Sequence, residues 1–253
     1  MCASPLPDSR GRSRITPLQW VGLAVLVLLL ANQVGLLRLN SPGAISEFLE
    51  AALPRFVALV LAITVHEFSH GLVATLFGDD LPRRVGRLTL NPLKHLDPLG
   101  TLMILIGPIG WGRPMPINPG AMRLPNLGWA LSSLAGPVSN LIAAALTATL
   151  LGLAGSALSD AADYLKAFIT INVLLALFNL IPLPPLDGFG FVFGLAPRAL
   201  KLALMPLQSY GPLILLAVLF LPPLRPIIDQ FIFGGLRVLL PPLRALCQCN
   251  PIA

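Results

Sequence analysis

The stretch from Arg55 to Phe77, RFVALVLAITVHEFSHGLVATLF, decides how this chain is read. About 20 apolar residues at helical rise cross ~30 Å of hydrocarbon, so the run is long enough to be a membrane-spanning helix. Near its end it carries three ionisable groups within five positions, His66, Glu67 and His70, and the whole chain has only three histidines. Such groups are costly inside a bilayer and persist where a ligand or a water-filled cavity compensates them. Residues four apart on a helix stack on one face, so the two imidazoles can meet one metal ion. Glu67, about 100° round the helix, can reach a water at that metal. This is the geometry of a zinc hydrolase; the alternative is a buried polar cluster without catalysis.

Working outward, 55% of the 253 residues are hydrophobic and 11% are charged, against roughly a quarter charged in soluble domains. That composition excludes a soluble globule and intrinsic disorder alike. It predicts an all-α polytopic membrane protein with about six transmembrane helices in a single membrane-embedded domain, residues 1–253. The expected spans are 17–37, 55–77, 127–158 and 167–183, then a short run at 211–224 and a last one at 227–240 interrupted by Asp229 and Arg237. Span 17–37 follows Arg10, Arg12 and Arg14 and lacks a small-x-small cleavage site, so it reads as a retained span, not a secretory signal. The net charge of +6 comes from basic residues scattered through loops without a stripe, which points to the lipid bilayer as partner and against nucleic acid. With the N-terminus cytoplasmic, Arg83, Arg84, Arg87, Lys94, Arg113, Arg123, Arg198 and Lys201 fall on the cytoplasmic side, and both termini face it. Sparse cysteines, Cys2, Cys247 and Cys249, argue against a disulfide framework. Residues 100–119, GTLMILIGPIGWGRPMPINP, are apolar but broken repeatedly by Gly and Pro. They predict extended or β-hairpin structure at the membrane surface, paired with itself, with protein or with water.

A catalytic zinc site usually has a third protein ligand and one open position. The other glutamates, Glu47 and Glu50, precede the His66–His70 pentad, and Leu76 stands where a third histidine of a longer motif would be. Asp79, Asp80, Asp97, Asp160 and Asp163 read as solvated loop residues by their flanks, and His95, beside Lys94, as an interfacial loop residue. Asp187 differs. It ends NLIPLPPLD, residues 179–187, where three prolines within four residues stop helical hydrogen bonding. The pentad lies about 10 to 16 Å from the cytoplasmic end of its span at helical rise. Asp187 emerges toward the same side, so topology permits the two to meet.

Three motifs, HEFSHG at 66–71, AGPVSN at 135–140 and NLIPLPPLDG at 179–188, occur in an order in which the chain resembles the site-2 protease family of intramembrane zinc metalloproteases. WGRPMPINP at 111–119 is similar to the membrane-associated β-hairpin region of that family. The resemblance covers about residues 55–190, the catalytic core; the N-terminal span 17–37 and the C-terminal apolar segments 211–240 carry no motif of it. It implies His66, His70 and Asp187 as ligands of Zn2+, Glu67 as general base, and Asn179 as a polar group near the substrate carbonyl, with helix capping or interhelical bonding as the alternative for Asn179. Gly136 and Asn140 are expected to serve helix packing and interhelical bonding. The implied substrate is a single-pass membrane protein cleaved in or near its transmembrane segment, its unwound strand added to an edge in residues 100–119. The 78–126 stretch is too short for a PDZ domain plus the hairpin, which suggests a minimal-core member. Two rival functions are a catalytically silent metal-binding or substrate-holding membrane protein, disfavoured by a base beside the water, and a metal transporter, disfavoured because the polar residues concentrate at one depth.

Overall fold

The computed structural model of the protein describes residues 44–97, 100 and 112–247. Helix α1 (Ala44–Leu76) carries the pentad in its last three turns. Three of its hydroxyls are satisfied within the helix: Thr64, Ser69 and Thr75 each donate to the carbonyl four residues earlier, at 2.7 Å. Lipid offers no such partner, so back-bonding suits a membrane helix. A single turn, α2 (Leu81–Arg84), and irregular chain lead to α3 (Pro125–Ala154), which opens on a proline whose missing N–H costs nothing in the first turn. A 3-10 segment, Gly155–Ala161, joins it to α4 (Ala162–Asn179). After a non-helical break come α5 (Asp187–Leu195), α6 (Arg198–Phe220) and α7 (Arg225–Cys247).

Helix α3 is the hub, packed against α1, α4, α5 and α7. Its buried face is small: Gly128, Ala130, Ser132, Ser133, Gly136, Ala144 and Ala148. In a bilayer no hydrophobic effect drives helices together, so association depends on close van der Waals approach and interhelical hydrogen bonds, both of which small residues allow. One apolar cluster joins Ala144, Ala148 and Leu151 of α3 to Ile169, Val173 and Leu177 of α4 and Leu243 of α7. A second joins Ile181 and Leu186 of the break to Val218 of α6 and Ile228 of α7, and so anchors the segment that delivers Asp187.

The all-helical class expected from composition is what the described residues show. Three stretches are long and apolar enough to cross a bilayer, Ala52–Leu76, Pro125–Asn179 and Arg198–Leu219, the second holding both α3 and α4. The expected count of about six is not met among the described residues. Residues 17–37 lie outside them, and α7, expected as the last span, is not one of the three, having Arg225, Asp229, Arg237 and Arg244 spread along it. The span expected to begin at residue 211 starts at Arg198, and α6 accommodates Pro206 and Pro212 inside it. No strand occurs among the described residues, so the expected β-hairpin is not seen there, and residues 101–111 of that stretch lie outside them. The described flanks meet in a single antiparallel bridge between Leu96 and Gly112, beyond which residues 113–118 run without helix. Cys247, buried at the end of α7, is disulfide-bonded. Both termini, whose cytoplasmic placement was expected, lie outside the described residues.

Candidate metal centre

His66 and His70 sit one turn apart on α1 with both rings buried, their centroids 4.5 Å apart and their planes nearly perpendicular. Each ring is held by its Nδ1. His70 Nδ1 lies 2.7 Å from the Ser132 carbonyl oxygen, which can only accept, so Nδ1 carries the proton. Ser132 returns the bond through its hydroxyl, which donates to the His70 carbonyl at 3.0 Å and ties α3 to α1. His66 Nδ1 lies 2.6 Å from Asn140 Oδ1. The orientation of that amide follows from its other end, since Nδ2 faces the Ala62 carbonyl at 3.1 Å and Asn172 Oδ1 at 2.7 Å, both acceptors. Asn140 therefore presents its oxygen to His66, and His66 Nδ1 donates. Asn172 is fixed in turn by donating to the Phe168 carbonyl at 2.8 Å. With Nδ1 as the donor in both rings, a neutral imidazole carries its lone pair on Nε2, as a metal ligand requires.

Asp187 meets those lone pairs. It is the first residue of α5, where a carboxylate suits the positive end of the helix dipole. Its approach depends on Gly188, at which a Cβ would collide with the Leu180 carbonyl as the chain doubles back through the proline break. Asp187 Oδ2 is 3.0 Å from His66 Nε2 and 3.3 Å from His70 Nε2, yet among the described residues this buried oxygen receives no hydrogen bond. Three electron-rich atoms so close to one another need a positive charge among them. A second proton on either ring would serve one contact; a divalent cation serves all three, and the group fits a metal ion by chemistry and spacing. Gly136 of α3 closes the site from behind: a Cβ there would lie 2.5 Å from His70 Nε2 and 2.7 Å from His66 Cε1.

Glu67 is half-buried, and its Oε2 accepts the Met115 backbone N–H at 2.6 Å. Asn179, the last residue of α4, donates its amide to the Leu175 carbonyl at 2.9 Å, within its own helix. Asn140 makes the interhelical bonds expected of it. The structure also corrects two expectations about loops. Asp79 is fully buried, accepting from the backbone N–H groups of Leu81 at 3.0 Å and Asn118 at 2.6 Å. His95 is fully buried as well, with Nε2 2.7 Å from the Thr89 carbonyl. Polar flanks suggested solvent for both, but residues 113–118 fold back and cover them. Sequence reasoning passed over Ser132, Asn172, Arg87 and Met115. The first and last act through backbone atoms, which no residue type reveals. Asn172, a polar residue inside an apolar helix, was the signal available.

Comparison with known proteins points the same way. The chain is 44% identical over 176 residues to the Bacillus subtilis protein named "Putative zinc metalloprotease YwhC", a match covering 66% of this chain and 80% of that protein. It is 33% identical over 181 residues to "Putative zinc metalloprotease Rip2" of Mycolicibacterium smegmatis, covering 66% of each chain. The protein of the same name in Mycobacterium tuberculosis is 32% identical over 180 residues, covering 69% of this chain and 68% of that one. No protein-family model matches the chain, and no solved structure matches it.

Proposed function

Within the site-2 protease family of zinc metalloproteases, to which this chain belongs, we propose that it is an intramembrane endopeptidase hydrolysing peptide bonds in or near the transmembrane segments of single-pass membrane proteins. The observation that carries the reading is the convergence of Asp187 Oδ2 on both imidazole Nε2 atoms, at 3.0 and 3.3 Å, beside Glu67 on a helix apolar enough to cross a bilayer. Zinc held by His66, His70 and Asp187 supplies Lewis acidity toward a water and toward the scissile carbonyl. The chain's own groups do the rest. Glu67 takes the proton of the attacking water and returns it to the leaving amine. Asn140 and the Ser132 carbonyl keep both Nε2 lone pairs aimed at the cation, and Gly136 leaves the rings room.

Asn179 donates to the developing oxyanion in exchange for its bond to Leu175, a contribution worth about 3 kcal/mol for one such donor. The substrate helix unwinds first, because in a helix each peptide carbonyl is engaged four residues on. In this reading residues 17–37 and α7 add to the spans, and both termini lie on the cytoplasmic side with the excess of Lys and Arg. The test is Glu67→Gln in the full chain, reconstituted with a single-pass substrate. The variant keeps its zinc and loses cleavage by about 10²- to 10⁴-fold. Unchanged cleavage overturns the proposal.

A further inference from the structure

A general base must be aimed, and a glutamate with free torsions on the surface of α1 is not aimed by its helix alone. Here Glu67 is aimed from outside, by the Met115 N–H on Oε2. Met115 belongs to a strap, residues 113–118, that has prolines at 114 and 116 and no helix or strand of its own. The strap stays in place through three fixings unrelated to the metal. The Arg113 N–H donates to the His95 carbonyl at 2.7 Å, the Arg113 carbonyl accepts from Arg87 Nη2 at 2.6 Å, and the Asn118 N–H donates to Asp79 Oδ2 at 2.6 Å. Between them the Met115 side chain is wedged against α1, where a Cβ on Gly71 would come within 3.0 Å of its sulfur.

Of these fixings Arg87 is the one that calls for a role. Its side chain is buried, with Nε left without a partner among the described residues, on a loop that takes no part in the chemistry above. Burying a guanidinium that bonds a single carbonyl is a poor structural bargain, since the unpaired N–H costs about 1–3 kcal/mol. Its electrostatic environment includes Glu67: burial pushes its pKa below the ordinary arginine value, the Glu67 charge opposes that, and Arg113 adds to it.

We propose that Arg87 is a positioning residue for the general base: by holding the Arg113 carbonyl it seats the strap, and the Met115 N–H then fixes one oxygen of Glu67 and leaves the other for the water. The inference rests on Glu67 being that base. Arg87 touches neither substrate nor metal, so its loss lowers turnover and leaves substrate binding and zinc content intact.

The experiment compares Arg87→Ala, Arg87→Lys, Met115→Pro and the Arg87→Ala/Met115→Pro double variant in the full zinc-loaded chain, reconstituted with a single-pass substrate. Proline at 115 deletes the N–H that reaches Glu67. Zinc stoichiometry, kcat and KM are measured together with amide hydrogen exchange over residues 113–118. Arg87→Ala retains zinc, exchanges faster through the strap and loses about 10- to 100-fold in kcat with KM little changed, the size expected of a misaimed group. Arg87→Lys recovers part of that. Met115→Pro loses a similar factor, and the double variant loses no more than either single one, because both act through one bond. Wild-type kcat in Arg87→Ala or Met115→Pro, multiplicative losses in the double variant, or zinc lost along with activity would each overturn the proposal. Should Arg87→Ala fail to fold, Arg87→Lys and Met115→Pro carry the test alone. If Glu67→Gln cleaves normally the base assignment itself has failed, whereas an inactive Glu67→Gln beside an unaffected Met115→Pro refutes only the strap.

Discussion

Replacing Asn140 separates orientation of the proposed metal ligand His66 from packing. Asn140 Oδ1 is the acceptor 2.6 Å from His66 Nδ1, and its Nδ2 serves Ala62 and Asn172. Asn140→Leu keeps roughly the bulk and removes all three bonds. His66 Nδ1–H then faces an apolar surface, and the ring gains by moving its proton to Nε2, the atom that must bind the cation. Removing an outer partner of a ligating histidine costs about 10- to 100-fold in metal affinity, ~1.4 to 2.7 kcal/mol. Asn140→Asp preserves the acceptor for His66 but presents carboxylate oxygens to the two acceptors that Nδ2 now serves. Its fold is weakened, by about 1–3 kcal/mol for each mismatched buried group, while its metal affinity stays within about threefold of the parent. Zinc affinity is read by chelator competition in micelles, and stability by thermal unfolding of the metal-free protein. A folded Asn140→Leu that binds zinc as tightly as the parent would refute the tautomer argument. So would an Asn140→Asp whose affinity falls as far as that of Asn140→Leu.

Two more predictions follow from the packing around the site. Gly136→Ala places a methyl 2.5 Å from His70 Nε2. The rings must yield, and the protein is expected to keep its helix content by circular dichroism while retaining little zinc by elemental analysis; full occupancy would show that α3 can move aside. Asp79→Asn gives one backbone N–H a carbonyl and confronts the other with an amide NH2, so unfolding stability should fall by about 1–3 kcal/mol. An unchanged melting temperature would mean that Asp79 does not clamp the strap at Asn118.

What could be read along the chain was whatever depends on near neighbours. His66 and His70 share a face because the helical period puts residues four apart together, and the apolar runs announced the helices that carry them. The proline-broken segment before Asp187 marked that carboxylate as unlike the other aspartates. Long-range closure was not legible. Flanks made Asp79 and His95 look solvated, because a flank records composition and not which distant strap will cover it. The short run expected at 211–224 belongs to a helix that begins at Arg198 and continues through Pro206 and Pro212, because a proline breaks a helix only where nothing else satisfies the freed carbonyl.

Residue order by itself therefore determined the helical class of the protein, the phase of the two imidazoles on α1 and the place of a glutamate between them, since those follow from hydropathy and a fixed period of 3.6 residues. Only the tertiary structure decided that Asp187 reaches both rings, that Asn140 and Ser132 free the two Nε2 lone pairs, and that a backbone N–H from a distant strap holds Glu67. Those facts are distances between atoms far apart along the chain. They are set by how closely the small-faced helix α3 lets its neighbours approach, and no local pattern encodes them.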